Sequence, residues 1–480
     1  MMNDSKVIVG LVGAIHPNMP GDNVGTYTRV VESMRAMQER LGFDLVVYEP
    51  VIKWEEDGGK AREFLESKQV DFTLLFCASL PFGRAVLPLA RINGYLGIWA
   101  VPEPTTSGVL QLNSFCGLNM SGSIVAHYFN QYDIPFKWFY DFPETDLFQE
   151  RFRITLRSMQ AIKLLKNSRI GQIGELANGF ENMHTDERVL EKRFGVYVQT
   201  RHTVEDIVAC AKAYEQNAVE IEIKHIVAEG SVCGRVAPGD MEKMARLSLA
   251  FVDFAKEHRY NALAISCWSK FQEVYDVAVC AAMSRLNQAG IVAPCEADIA
   301  AATNMLIFRG LNGEAPSLSD LVALDESDQS INLWHCGVAP TCWANARGVN
   351  WDAHFNIGNY DEQQQWQGRG VVADMQFKPG PVTICTMDNN FDNLFVLTGS
   401  VMADKPGYEG SSGWVNNLKM HGNDIRIKDL INTISVNRLN HHYPTAYGDL
   451  AYELFEFANW KRMNILDAIP YVPYMQNPPF

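Results

Sequence analysis

Three acidic side chains stand in apolar surroundings in the middle of this 480-residue chain: Glu273 in CWSKFQEVYD (267–276), and Glu296 and Asp298 in IVAPCEADIAAATNM (291–305). A carboxylate in such a run costs free energy unless a cation, a hydrogen bond or a helix terminus compensates it. Glu273 follows the strand-like NALAISCW and Asp298 follows the strand-like GIVAPC. Both therefore fall near strand ends, the edge at which open α/β sheets collect ligands. Two carboxylates with one imidazole form a donor set suited to Mn²⁺, or to Mg²⁺ as the harder variant. RLNHHYPTAYGD (438–449) offers the imidazole. If it is a strand, His441 and His442 point to opposite faces and one of them reaches a shared site. Each of these residues also has a plain structural reading: Asp298 as the favourable charge of a helix N-terminus, Glu273 as a solvated or ion-paired side chain, and the histidine pair as polar side chains facing water.

Other polar groups lie at comparable places. His16 and His335 each close a strand-like run, Trp268 and Lys270 precede Glu273, and LNSFCGLNM (112–120) offers Asn113, Ser114 and Asn119 around Gly117 as a turn able to hydrogen-bond a polyol. No GxxxxGK[ST] loop, GxGxxG fingerprint, HExxH helix or GxSxG elbow occurs, which lowers the case for a nucleotide-dependent enzyme or a serine hydrolase.

The elements that must position these groups are legible as alternations. VIVGLVGAI (7–15) reads as a buried parallel strand, Thr26 to Leu41 has helical spacing, and DLVVYEPV, FTLLFCASL, GYLGIWAVPEP and IPFKWFY follow as strands. A helix over 151–168 leads to a second alternation from RIGQIGEL (169–176) through MEKMARLSLAFVDFAKEH (241–258), with further helices over 274–290 and 293–311. After about residue 315 the texture turns to strands with KPGP and DNN turns, including INTISVNRLNHH, before a last helix over 449–463. The expected fold is α/β: two doubly wound parallel-sheet domains (1–167 and 168–315) and a mainly antiparallel, β-rich C-terminal domain (316–480).

Net charge is −15, which argues against nucleic acid and anionic membrane surfaces as partners. No run of 18 apolar residues is present, and MMNDSKVIVGLVGAIHPNMP reads as a first strand rather than a signal peptide. Ten scattered cysteines without a CxxC pair read as reduced thiols of a cytoplasmic protein.

The stretches VGLVGAIHPNMPGD, WAVPEPTTSGVLQLNSFCGLNM, CWSKFQEVYDVAVCAAMSRLNQAGIVAPCEADIAAATNML, FKPGPVTI and NHHYPTAYGD span nearly the full chain and resemble the L-fucose isomerase and L-arabinose isomerase superfamily, in particular its shorter fucose isomerase-like branch. The resemblance implies three domains, the first two flavodoxin-like, and a trimer or hexamer in which the first domain of a neighbouring subunit covers the active site. It implies Mn²⁺ or another divalent ion held by two acids and a histidine, placed by position on Glu273, Asp298 and His442, with a one-residue slip selecting His441. His16 and the Asn113–Asn119 loop then act in trans, and Trp268, Lys270 and His335 join them as sugar-binding residues. Ser269-Lys270 replaces the Pro-Glu pair usual after Cys-Trp in the shorter relatives, and a cation there suits an anionic sugar. Short members isomerise sulfoquinovose, a sulfonated hexose, so the substrate is expected to be that sugar or an L-fucose- or L-arabinose-like aldose. In such a reaction a divalent ion stabilises the enediolate, and Glu273 and Asp298 serve as base and acid as well as ligands. A sugar-binding protein on the same fold that lacks catalysis is the alternative.

Overall fold

The structure, a computed structural model, describes residues 6–18, 22, 24–129, 134–177 and 179–479. Residues 19–21 of the HPNMPGD stretch lie outside the described residues. The chain divides into two compact units, Met1–Lys163 and Leu164–Phe480.

The first unit is built on five parallel strands: β1 (Val7–Ala14), β2 (Phe43–Ile52), β3 (Phe72–Cys77), β4 (Tyr95–Ala100) and β5 (Phe136–Tyr140), in the order β2-β1-β3-β4-β5. This is the doubly wound order of flavodoxin-like sheets. The unbroken apolar runs of β1 and β3 are buried because helices cover both faces. The helix Thr26–Leu41 buries Val30, Val31, Met34 and Met37, the expected spacing, and ends at Gly42 in the left-handed conformation. LNSFCGLNM is not a loop: it opens the helix Ser114–Phe129. The backbone N–H groups of Gln111, Leu112 and Asn113 donate to Glu103, and the Ser114 hydroxyl donates to the Cys77 carbonyl, so local hydrogen bonds consume much of the polarity that suggested a ligand-binding turn.

The second unit contains a parallel sheet of β6 (Arg169–Ile173), β7 (Tyr197–His202) and β9 (Ala262–Ile265), in the order β7-β6-β9. The piece 292–294 extends it beyond β9, with the Leu263 N–H donating to the Val292 carbonyl (2.8 Å) and the Ile265 N–H to the Pro294 carbonyl (3.3 Å). β8 (Gly230–Val232) lies elsewhere, paired with Val349–Ala353. That pair belongs to an eleven-stranded, mainly antiparallel sheet that includes Ser330–His335, Gly380–Met387, Asn393–Val401 and Ser411–Met420. Ile331, Leu333, Trp351, Phe377, Val382, Phe395 and Leu397 form its buried layer.

Three expectations about elements are corrected. The helix expected over 274–290 is two, Lys270–Tyr275 and Cys280–Gln288. The one expected from 293 begins at Ile299, after a turn. INTISVN is not a strand but part of the helix Ile427–Asn437: Ile427, Leu430 and Thr433 are buried on one face, and that packing overrides the β preference of its branched residues.

Candidate metal centre

Glu296 is presented by a turn rather than by a helix. Glu296 and Ala297 both have φ of 59°, the left-handed region that non-glycine residues avoid. Such strain, of order 1–3 kcal/mol per residue, persists where the surroundings over-determine it and concentrates at functional sites. The turn is held by the Ala297 N–H donating to the Ile265 carbonyl at the end of β9 (3.0 Å). One residue later Asp298 caps the Ile299–Asn312 helix, its Oδ1 accepting the Ala301 N–H at 2.8 Å. Its Oδ2 lies 2.8 Å from His442 Nδ1, with both side chains essentially inaccessible.

That contact fixes the imidazole. A carboxylate at Nδ1 holds the ring proton there and leaves the Nε2 lone pair free, the arrangement by which second partners orient metal-binding histidines. His442 Nε2 is buried with no hydrogen-bond partner among the described residues. It lies 3.5 Å from Glu296 Oε2 and 3.8 Å from Asp320 Oδ1, and that Asp320 oxygen is also buried without a partner. Asp320 begins the strand Asp320–Asp325 and bridges to His442 through the backbone. Two sets of side chains able to hold an ion therefore share His442: Glu296 with His441 and His442, and Asp320 with His335 and His442. A buried imidazole nitrogen and a buried carboxylate oxygen, Asp320 Oδ1, that lack hydrogen-bond partners among the described residues fit a hard or borderline divalent cation.

His441 and His442 both face Glu296, His441 Nε2 at 3.2 Å. The expectation that only one could do so is corrected: His441 sits in a bend, so strand alternation does not apply. The Glu296 carboxylate raises the His441 pKa above its ordinary value against the opposing effect of burial. His335 ends the strand Ser330–His335, and its Nε2 is buried and unpartnered. Burial disfavours its charged form, and the Cys336 sulfur, Asp320 and Glu296 outweigh it, raising the pKa to about 10. The Cys336 N–H points at Nδ1 (2.9 Å), which in the neutral ring leaves the proton on Nε2. In either state Nε2 carries a hydrogen to donate.

Of the residues singled out in the sequence, Asp298, His442 and His335 meet here. Glu273 does not join them: its Oε1 accepts from the Ser269 hydroxyl at 2.9 Å, its Oε2 pairs with Lys270 at 3.6 Å, and the side chain is 59 % exposed. Lys270 also pairs with Glu205 (3.3 Å), and Lys270 and Trp268 line a cavity of about 730 Å³ at the carboxyl ends of β6, β7 and β9. In the first unit, His16 lines a cavity of about 520 Å³, Asn113 precedes the Ser114–Phe129 helix, and Asn119 is exposed upon it.

No family model matches the chain. Curated proteins do. A sulfoquinovose isomerase of Priestia aryabhattai is 29 % identical over 381 residues, 78 % of this chain and 79 % of that protein. Those of Alkalicoccus urumqiensis (26 % over 400 residues, 81 % and 84 %) and Clostridium sp. (strain MSTE9) (25 % over 385 residues, 76 % and 79 %) match over a similar extent. The chain is a homologue of the sulfoquinovose isomerases. Within that relationship, Glu296 and Asp320 are the acids at His442 that sequence reasoning did not assign. Glu273 and Asp298 stand 25 residues apart, and Glu296 and Asp320 stand 24 apart. Spacing therefore does not separate the two pairs. The polar step CEAD before the helix is the one sequence signal that marks Glu296, and Asp320 in SLSDLVALD carries none.

Proposed function

We propose that the protein is a divalent-metal-dependent aldose–ketose isomerase acting on a sulfonated hexose of the sulfoquinovose type, with Glu296, Asp320 and His442 holding the ion. One observation carries the reading: the free Nε2 of His442 lies within 4 Å of oxygens from both acids, while its Nδ1 is anchored on Asp298. The homology to sulfoquinovose isomerases supports the reaction and the sugar. Two carboxylates and an imidazole suit Mn²⁺.

A divalent ion bound there supplies Lewis acidity to the carbonyl and the adjacent hydroxyl of an open-chain sugar. The chain's residues do the rest. Glu296, with two carboxylate oxygens, takes the C2 proton and returns it to C1, while the proton of the C2 hydroxyl passes to the C1 oxygen, leaving a ketone at C2 and a hydroxyl at C1. His335 donates Nε2–H to a sugar oxygen. Asp298 is a positioning residue that keeps the His442 proton on Nδ1. Glu273 is given no ligand role, and Trp268 and Lys270 bind sugar in the cavity beside the centre. His16, Asn113 and Asn119 act from a neighbouring subunit of a homo-oligomer, a trimer or hexamer. Ten cysteines without a disulfide among them are in keeping with a cytoplasmic location.

The test is a panel of aldoses with Mn²⁺ in deuterated water. Sulfoquinovose converts to its ketose and acquires solvent deuterium at C1. Tight sugar binding without any ketose formed, with Mn²⁺ present, identifies a binding protein instead.

A further inference from the structure

The cavity beside the metal centre holds a second set of groups that isomerisation itself does not need. Gly174 and Glu175 line it just past β6, Thr200 and Arg201 from β7, and Ser266 and Trp268 just past β9. It lies next to the metal centre along β9: Ser266 lines the cavity and follows Ile265, whose carbonyl accepts the Ala297 N–H of the Glu296 turn. The segment after β6 lines the cavity up to Ala177, Phe180 lies against His441 with the rings tilted at 37° (5.7 Å between centroids), and Asn182 hydrogen-bonds His441 (3.2 Å).

Strand order sets the distances. The piece leading to Glu296 lies beside β9, then come β6 and β7, so Arg201 stands three strand spacings, roughly 14 Å, from the metal-binding edge. A six-carbon chain with C–C bonds of about 1.5 Å spans about half of that, and an extended arginine side chain covers much of the rest. Trp268, 42 % exposed, lines the cavity from the intervening strand end and offers a flat face to the sugar.

We infer that the Arg201 end of this cavity is the subsite for the sugar's C6 sulfonate, and that Arg201 is the residue that selects a sulfonated hexose over a neutral one. The inference rests on the isomerase reading above. Among the described residues Arg201 has no acid partner, so its guanidinium fork is available to two sulfonate oxygens. Lys270 is held by Glu205 and Glu273, but these pairs are half-exposed, and exposed pairs contribute little, so the ammonium can turn to the anion. The surrounding acids, Glu175, Glu205 and Glu273, also choose between anions. They penalise the dianion of a phosphate ester about twice as strongly as the monoanion of a sulfonate, which favours the sulfonate as the occupant.

The experiment compares wild type and Arg201→Gln, both loaded with Mn²⁺, on sulfoquinovose, on its 6-deoxy analogue without the sulfonate, and on glucose 6-phosphate, with binding titrations of the same three sugars. Loss of one charged hydrogen-bonding group predicts a KM and Kd for sulfoquinovose raised about 10- to 100-fold, with kcat changed less than about threefold. The 6-deoxy sugar is unaffected, and wild type prefers the sulfonate to the phosphate. An equal effect on the sulfonated and 6-deoxy sugars, no effect on either, or a wild-type preference for the phosphate ester overturns the subsite. Isomerisation of neutral sugars alone overturns the subsite and leaves the isomerase standing. Sugar binding that depends on Arg201 without turnover supports the subsite and overturns the isomerase.

Discussion

At the residue scale the account turns on where protons sit on three histidines. Asp298 holds the His442 proton on Nδ1 and caps a helix with its other oxygen. Asn caps a helix about as well as Asp. Asp298→Asn should therefore leave the melting temperature nearly unchanged while weakening Mn²⁺ binding about 10- to 100-fold, the usual cost of losing an orienting partner, as read by metal titration. A similar loss of both properties would make Asp298 merely structural. His441 gives a pH prediction. Its pKa is raised in the folded state by Glu296. In metal-free protein the pair thus stabilises the fold below the ordinary imidazole value of about 6.5, and that contribution is lost as pH rises through the raised value. His441→Gln should lower the thermal stability of the chelator-treated protein near pH 6 and have less effect near pH 9, as measured by calorimetry. The structure brings Asp298 and His442 within 2.8 Å, and that Asp298 and a histidine of the His441–His442 pair could come together was legible in the sequence. The identity of the acids was not. Which of several acids faces a histidine more than a hundred residues away depends on a left-handed turn at Glu296–Ala297 and a backbone bridge at Asp320, and neither leaves a pattern in composition or periodicity.

At the element scale the same turn carries a stability prediction. Ala297 sits at φ 59°, where a side chain costs roughly 1 kcal/mol relative to glycine. Ala297→Gly should raise resistance to denaturant by up to about 1 kcal/mol, and activity should fall if the strain helps aim Glu296. A destabilised variant would show that the methyl group's packing outweighs the strain. Most strands of the two parallel sheets were readable because burial on two faces demands continuous apolar runs, as in FTLLFC and ALAI, whereas β7, YVQTRH, has no buried residue and no such run and was not. The helix Ile427–Asn437 was not, because Ile, Thr and Val favour strands until a buried face decides otherwise. The start of the Ser114–Phe129 helix was hidden by Asn and Ser, residues equally at home in turns and at helix entries.

At the scale of the whole molecule, the side chains proposed to hold the ion come from segments around residues 296, 320 and 442 of the second unit, sequence-distant pieces that folding must assemble. Ion binding is then linked to folding: at a hundredfold excess over Kd an ion adds about 2.7 kcal/mol to the stability of the folded form. Chelation should lower the melting temperature, and Mn²⁺ should restore it. The alternation of strand and helix that specified the two parallel sheets spans long stretches of chain, so the α/β class and the β-rich C-terminal region were legible where single side chains were not.

The most direct measurement is the metal stoichiometry of two purified variants after Mn²⁺ loading and desalting. Glu296→Gln should lose the bound equivalent and Glu273→Gln should keep it. Retention by Glu296→Gln together with loss from Glu273→Gln would place the ion elsewhere and contradict the account.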